Sequence, residues 1–265
     1  MCLITLNWRP GHPVPLLVAA NRDEFYARPA LGLHHWPGQR VLAGQDLQAG
    51  GTWLGLGVSE DTNQIRMAAL TNYRDVAGQK MDAASRGHLT ASFLSSSLSA
   101  RSYLELLTAN AHRYNPFNLI LFDGQDLMGF ESRHTCMFTL PAGITSVSNA
   151  DFNTPWPKLE RLRSSFEKML ATNDDEALLK DKLFRLLSDD RIAPDADLPR
   201  TGIPLDRERV LSAAFIRTAD YGTRVSSLIR IKRQVAEFTE RSFDAKGFKG
   251  EVTETIFWGN SCLPS

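Results

Sequence analysis

Cysteine is scarce in this chain. The three that occur among 265 residues, Cys2, Cys136 and Cys262, are odd in number and widely spaced, with no CxxC and no Cys/His zinc pattern. That usage argues against a disulfide framework and suits a reducing compartment, so a cytoplasmic location is expected. Net charge is missing too. Thirty basic residues balance thirty acidic ones, which gives no sign of a nucleic-acid or anionic-membrane surface. No apolar run is long enough to span a bilayer, and no membrane span is expected. The opening MCLITLNWRPGHPVPLL has no basic leader, and Pro10, Pro13 and Pro15 interrupt it. It reads as neither a signal peptide nor an anchor. No internal repeat or low-complexity linker is present. The six histidines, His12, His34, His35, His88, His112 and His134, contain no pair at helical metal-site spacing, and no metal is expected. The final CLPS has the letters of a prenylation box on Cys262, but Pro264 occupies an aliphatic position and no basic stretch precedes it. The match reads as chance.

What is there is an ordinary globular composition, 43% apolar and 23% charged, in a chain long enough to bury a large core without staples. Apolar runs at Cys2–Trp8 and Leu16–Ala20 flank the turn-forming RPGHPVP and predict a hairpin. A loop is expected over Asn21–Pro29. Thr52–Val58 and Ile65–Asn72 read as strands buried on both faces. Helices are expected over Ser85–Ser97 and Ser99–Tyr114, with Ser99 as N-cap. Four strands follow at Phe117–Asp123, Asp126–Ser132, Cys136–Leu140 and Ile144–Asn149. Apolar stripes predict helices over Pro157–Ala171 and Asp174–Asp189. Arg191–Asp206, rich in Pro and Asp, reads as a surface loop. Arg224–Ile231, Gln234–Ser242 and Glu251–Trp258 read as strands.

The order strands, helices, strands, helices, strands is not the alternation of a doubly wound fold. It predicts one α+β domain over residues 1–265, with two mainly antiparallel sheets packed face to face and covered by helices. The first and last strands should share a sheet.

Cys2 is the first residue with chemistry. Removal of Met1 would leave a thiol and an α-amine on one residue, and an amine with a pKa of about 7.7–8.0 can take the thiol proton. The plain alternative is a buried strand cysteine. Next, Asn21-Arg22-Asp23-Glu24 returns toward the chain start through the hairpin. A guanidinium there would favour a thiolate on Cys2, and a carboxylate could hold the α-ammonium. Asn72 and Asn149 end strands and offer neutral donors for an oxyanion. Arg224 begins a strand and could pair with a carboxylate. Trp53, behind Gly50-Gly51, could line a pocket or fill the core. Cys136 starts an apolar strand and should be buried, while Cys262 has no activating neighbour.

These residues lie within a longer set of motifs: MCLI, AANRDEFYARPA, LAGQDLQAGGTWLG, ALTNYR, SRG at Ser85–Gly87, YNPFNLILFD, SNADFNTPWPKL and YGTR. The set resembles the NRDE family, whose eukaryotic members are called transport and Golgi organisation protein 2, over almost the whole chain. That family is similar to cysteine N-terminal-nucleophile (Ntn) hydrolases of the penicillin V acylase and bile-salt hydrolase type. The resemblance implies a four-layer αββα sandwich and a catalytic set of Cys2, Arg22, Asp23, Asn72, Asn149 and Arg224. Glu24, Trp53 and Asn21 would serve ligand binding. The hydrolases space their Arg and Asp apart, whereas here the two are adjacent, so either Asp23 or Glu24 could fill the carboxylate role. The implied activity is cleavage of a linear, non-peptide amide in a small-molecule substrate. The alternative is a binding or trafficking protein for haem or another apolar ligand, with His34 or His35 as candidate iron ligands.

Overall fold

A computed structural model of the chain describes residues 2–75, 78–172 and 176–259. Thirteen strands and five α-helices occur among them. The first six strands are β1 (Cys2–Trp8), β2 (Leu16–Phe25), β3 (Ala30–His35), β4 (Val41–Asp46), β5 (Leu54–Val58) and β6 (Ile65–Asn72). Helices α1 (Gly87–Leu94) and α2 (Ala100–Thr108) follow. Then come β7 (Phe117–Phe122), β8 (Leu127–Glu131), β9 (Cys136–Thr139) and β10 (Gly143–Val147). Helices α3 (Pro157–Leu170), α4 (Glu176–Leu187) and α5 (Leu205–Leu211) precede β11 (Tyr221–Ile231), β12 (Val235–Asp244) and β13 (Gly247–Phe257).

The strands form two sheets. One runs β10-β1-β2-β11-β12-β13 and the other β3-β4-β5-β6-β7-β8-β9, with every pairing antiparallel. The first strand and the last three share a sheet, as their strong strand character predicts. The protein is therefore α+β with two antiparallel sheets, and among its described residues no helix is long and apolar enough to cross a membrane.

Apolar residues gather in three main clusters. Ile4, Leu6, Val18 and Ile229 of one sheet meet Leu42, Leu54, Leu56, Met67 and Ile120 of the other. Leu89, Phe93 and Leu104 of α1 and α2 cover Ala68, Leu119 and Leu121 of the second sheet. Leu159, Phe166, Leu183 and Leu187 of α3 and α4 cover Leu3, Leu17 and Leu228 of the first. Strand alternation explains the division, since residues i and i+2 share a face. Each Leu or Phe side chain fully removed from water contributes about 1.5–3 kcal/mol. In β5 the rule is read in glycine. Leu54, Leu56 and Val58 enter the inter-sheet core. Gly55 and Gly57 lie under α1, where a Cβ at Gly57 would sit 2.5 Å from the Leu94 carbonyl oxygen.

Three expectations change. Asn21–Phe25 is not a loop but the second half of β2, paired with β11 throughout and with β1 as far as Arg22. Strands β3 and β4 occupy a stretch with no strong periodicity. Helix α5 begins within the expected surface loop and extends past it.

Candidate functional site

Pairing of β1 with β2 sets Cys2 directly opposite Arg22. Leu3 faces the helices and Ile4 the inter-sheet core, so Cys2 and Arg22 project toward the second sheet while Asn21 and Asp23 project the other way. A cavity of about 400 Å³ opens there, lined by Cys2, Arg22, Glu24, Trp53, Asn72 and Arg224 among others. Backbone or side-chain atoms of Asp23 also reach its wall. Residues from β1, β2, β6 and β11 thus meet at one place.

The expected ligand residue Asn21 does something else. It is fully buried, and its Nδ2 donates to the carbonyls of Leu187 and Ala214, both at 2.8 Å. Its Oδ1 accepts the Ser226 hydroxyl at 2.7 Å. Asn21 ties the central strand to α4 and to the segment after α5. Asn21→Ala should leave two buried carbonyls and a hydroxyl without partners and cost about 3 kcal/mol. A urea titration checks this. An unchanged midpoint would mean that water replaces the amide.

Asp23 is buried, and its Oδ1 accepts the Thr223 hydroxyl at 2.7 Å. Glu24 lies on the cavity side, with Oε1 accepting from the Phe25 amide and Oε2 3.5 Å from Arg22. The two carboxylates therefore occupy opposite faces of β2. Arg22 also lies 3.4 Å from Asp46, which Arg28 holds at 2.6 Å. Arg224 sits at a β-bulge opposite β2. Its Nη1 donates to the carbonyls of Phe25, Tyr26 and Arg28, fixing the turn after β2.

Asn149 is placed differently from the expectation that it reaches an oxyanion. Its Nδ2 donates to the Asn72 carbonyl at 2.8 Å, and its own carbonyl accepts the Arg74 amide. It does not line the Cys2 cavity and instead clamps the end of β6. Neighbouring Ser148 donates its hydroxyl to the Cys2 carbonyl at 3.0 Å.

The Cys2 thiol is nearly inaccessible, with 5% of the residue exposed. Burial pushes its pKa up to about 11, the charged chain terminus and Arg22 pull it down, and Asp23 and Glu24 push it up again. In the chain that carries Met1, desolvation outweighs Arg22, which shares its charge with Glu24 and Asp46, and the thiol keeps its proton at neutral pH. A base is needed. Cys136 corrects a second expectation. It is exposed, since β9 is a four-residue strand at the sheet edge. Cys262 lies outside the described residues.

Three features are not among the expected site residues, although Arg86 and Lys158 lie in the SRG and SNADFNTPWPKL motifs. Arg86 lines the cavity beside Cys2. Glu240 is buried where Gly32 and Gly44 make room for it, accepts the Leu33 amide at 2.9 Å, and is pushed up to about 7 by burial. Lys158 is buried at the start of α3 near Asp23. A group of Glu131, His134 and Asp151 brings three donor atoms within 4.8 Å of one another, but none of them lines the Cys2 cavity. Among the described residues that line it there is no histidine, methionine or tyrosine. His34 is turned to the Gly32 carbonyl and His35 stands half-exposed beside Glu254. The cavity does not fit axial ligation of haem by these histidines.

Two antiparallel sheets with a buried second-position cysteine between them define an α+β protein with one polar cavity at the chain start. By sequence the chain belongs to the Transport and Golgi organisation 2 family, whose model matches residues 1–245. It is similar to the mouse Transport and Golgi organization 2 homolog, 34% identical over 91% of this chain and 93% of the mouse protein. The human homolog is 33% identical over 96% of this chain and 98% of its own length. The Drosophila melanogaster protein is 26% identical, with 96% of each covered.

Proposed function

We propose that the chain is an Ntn-type hydrolase of linear, non-peptide amides, with Cys2 as nucleophile once Met1 is removed. The observation that carries this reading is the convergence of Cys2, Arg22, Asn72 and Arg224, from both ends of the sequence, on one cavity. The three apolar clusters suit an αββα layering of the Ntn type.

The mechanism uses few groups. The Cys2 α-amine accepts the thiol proton as Sγ attacks the amide carbon, which makes one residue both nucleophile and base. The Asn72 amide donates to the developing oxyanion, and Asn149 holds Asn72 in place through its carbonyl. Asp23 fixes the α-ammonium from the far side of β2. The tetrahedral adduct expels the amine, which takes the proton back from the ammonium. Water, deprotonated by the Cys2 α-amine, then attacks the thioester carbon; the C–S bond breaks, the acid leaves, and the ammonium returns its proton to Sγ.

A second reading, binding of an apolar ligand in the same cavity without turnover, is favoured by the thiol standing near 11. Intact-mass measurement and alkylation separate the two. In a Cys136→Ser background, protein lacking Met1 should alkylate at Cys2 with a rate that levels off above about pH 8, the pKa of an α-amine. Protein retaining Met1 should react at least about tenfold slower near pH 7, because its thiol has no adjacent base. A mature protein that keeps Met1, or equal rates for the two forms, would sink the hydrolase reading.

A further inference from the structure

We propose that the Cys2 cavity selects a ligand bearing a carboxylate, and that Arg86 is the counter-ion that receives it. The proposal names the ligand class for the cavity of the preceding reading but does not depend on turnover.

The cavity wall carries five cationic side chains: Arg22, Arg28, Arg86, Arg224 and Lys249. Four are accounted for. Arg22 and Arg28 share Glu24 and Asp46. Arg224 is held by three backbone carbonyls. Lys249 is exposed to water at the edge. Arg86 is different. It is half-buried, its Nη1 donates to the Pro116 carbonyl at 3.1 Å, and no carboxylate among the described residues lies within ion-pair distance. Its Nε and Nη2 have no protein acceptor there. A guanidinium taken partly out of water without a counter-ion is costly. Burial accordingly lowers its proton affinity, an effect that Cys2 and Glu24 oppose. A ligand carboxylate would meet the open edge of the fork in the planar geometry that guanidinium favours.

The position of Arg86 is not accidental to the fold. It immediately precedes α1, and the Gly87 carbonyl accepts the Thr52 amide at 3.2 Å. A Cβ on Gly51 would lie 2.4 Å from the Gly87 carbonyl carbon, so this crossing requires glycine and fixes where Arg86 enters the wall. The rest of the wall orients the ligand. Trp53, Leu70 and Val225 offer apolar contact. Glu240, which loses its proton near neutrality, repels a second negative charge. A single anionic end against Arg86 and an apolar body is the occupant these groups accept.

The test is binding to the Cys2→Ala protein, followed by isothermal titration calorimetry, with octanoate, octanamide and octyl phosphate as probes at low salt. Octanoate should bind at least about tenfold more tightly than the neutral, nearly isosteric octanamide. Arg86→Gln should abolish that preference by weakening octanoate at least about tenfold, and a cooperative urea transition of the variant reports that it is folded. Raising the salt should shrink the preference in the parent protein, an arm that needs no substitution at Arg86. Preference retained in Arg86→Gln, equal binding of octanoate and octanamide, stronger binding of octyl phosphate than octanoate, or binding of no probe would each overturn the proposal. Alkylation of Cys2 reads the nucleophile alone and this selectivity reads the anion site alone, so either idea can fail without the other.

Discussion

Exchange of Cys2 for alanine in protein lacking Met1 is expected to lower amide turnover by roughly 10⁴–10⁶-fold, the scale on which loss of a catalytic nucleophile is felt. The cavity supplies no substitute. Thr52 donates its hydroxyl to the Leu54 carbonyl at 3.1 Å. Ser85 and Ser242 reach the wall, but the histidine next to Ser85, His88, turns its ring to the Ala49 carbonyl. Cys2→Ser keeps the geometry and swaps the thiol for a weaker acid, so its residual rate should exceed that of the alanine variant. The pH dependence provides an independent mark. Turnover should climb with deprotonation of the Cys2 α-amine at about 7.7–8.0, below the range to which burial raises the thiol in the chain that carries Met1. Steady-state rates of the parent and both variants on one amide substrate decide the matter. An alanine variant retaining more than about a tenth of the parent rate would move the chemistry away from Cys2.

The parts of this site that could be read in advance are those encoded by neighbours in sequence. Two apolar runs about a Pro-rich turn specify the hairpin, and the hairpin alone brings Arg22 opposite Cys2. Ser99 caps α2 through the Ser102 amide, as its position before an apolar stripe implies. The parts that could not be read depend on partners far away. Asn21-Arg22-Asp23-Glu24 has the composition of a loop, yet it lies in a central strand because Leu187, Ala214, Asp46 and Thr223 arrive to satisfy it. Asn149, expected to end its strand, lies two residues beyond β10, and the direction of its amide is set by the end of β6. Strand β3 is mostly exposed at a sheet edge and contains glycine and two histidines, so no alternation marks it. Arg86 carries no local signal of being unpaired, since the absence of a counter-ion is a property of the assembled wall.

Lys158 is the plainest case of a role hidden from sequence, and it carries the second large effect. A lysine in the first turn of a helix ordinarily lies in water. Here it is 1% exposed, and its Nζ has no hydrogen-bond partner among the described residues. Burial pushes its pKa down to about 8, Asp23 opposes the shift, and Arg74 adds to it. The folded state therefore prefers the neutral amine more than the unfolded chain does. Such a depressed group contributes stability above the unfolded value of about 10.4 and loses it as pH falls through 8. At pH 7 the ammonium is retained at a cost of about 3 kcal/mol, from a shift of about two and a half pH units. Lys158→Met keeps a chain of similar length and removes the charge, so it should stabilise the protein at pH 7 by about 2–3 kcal/mol. The gain should shrink toward pH 10, where the parent lysine has already lost its proton. Urea midpoints of parent and variant between pH 7 and pH 10 supply the measurement. The parent should become more stable across that range relative to the variant. Parallel profiles, or a variant less stable at pH 7, would mean that Lys158 is held by Asp23 strongly enough to offset its desolvation.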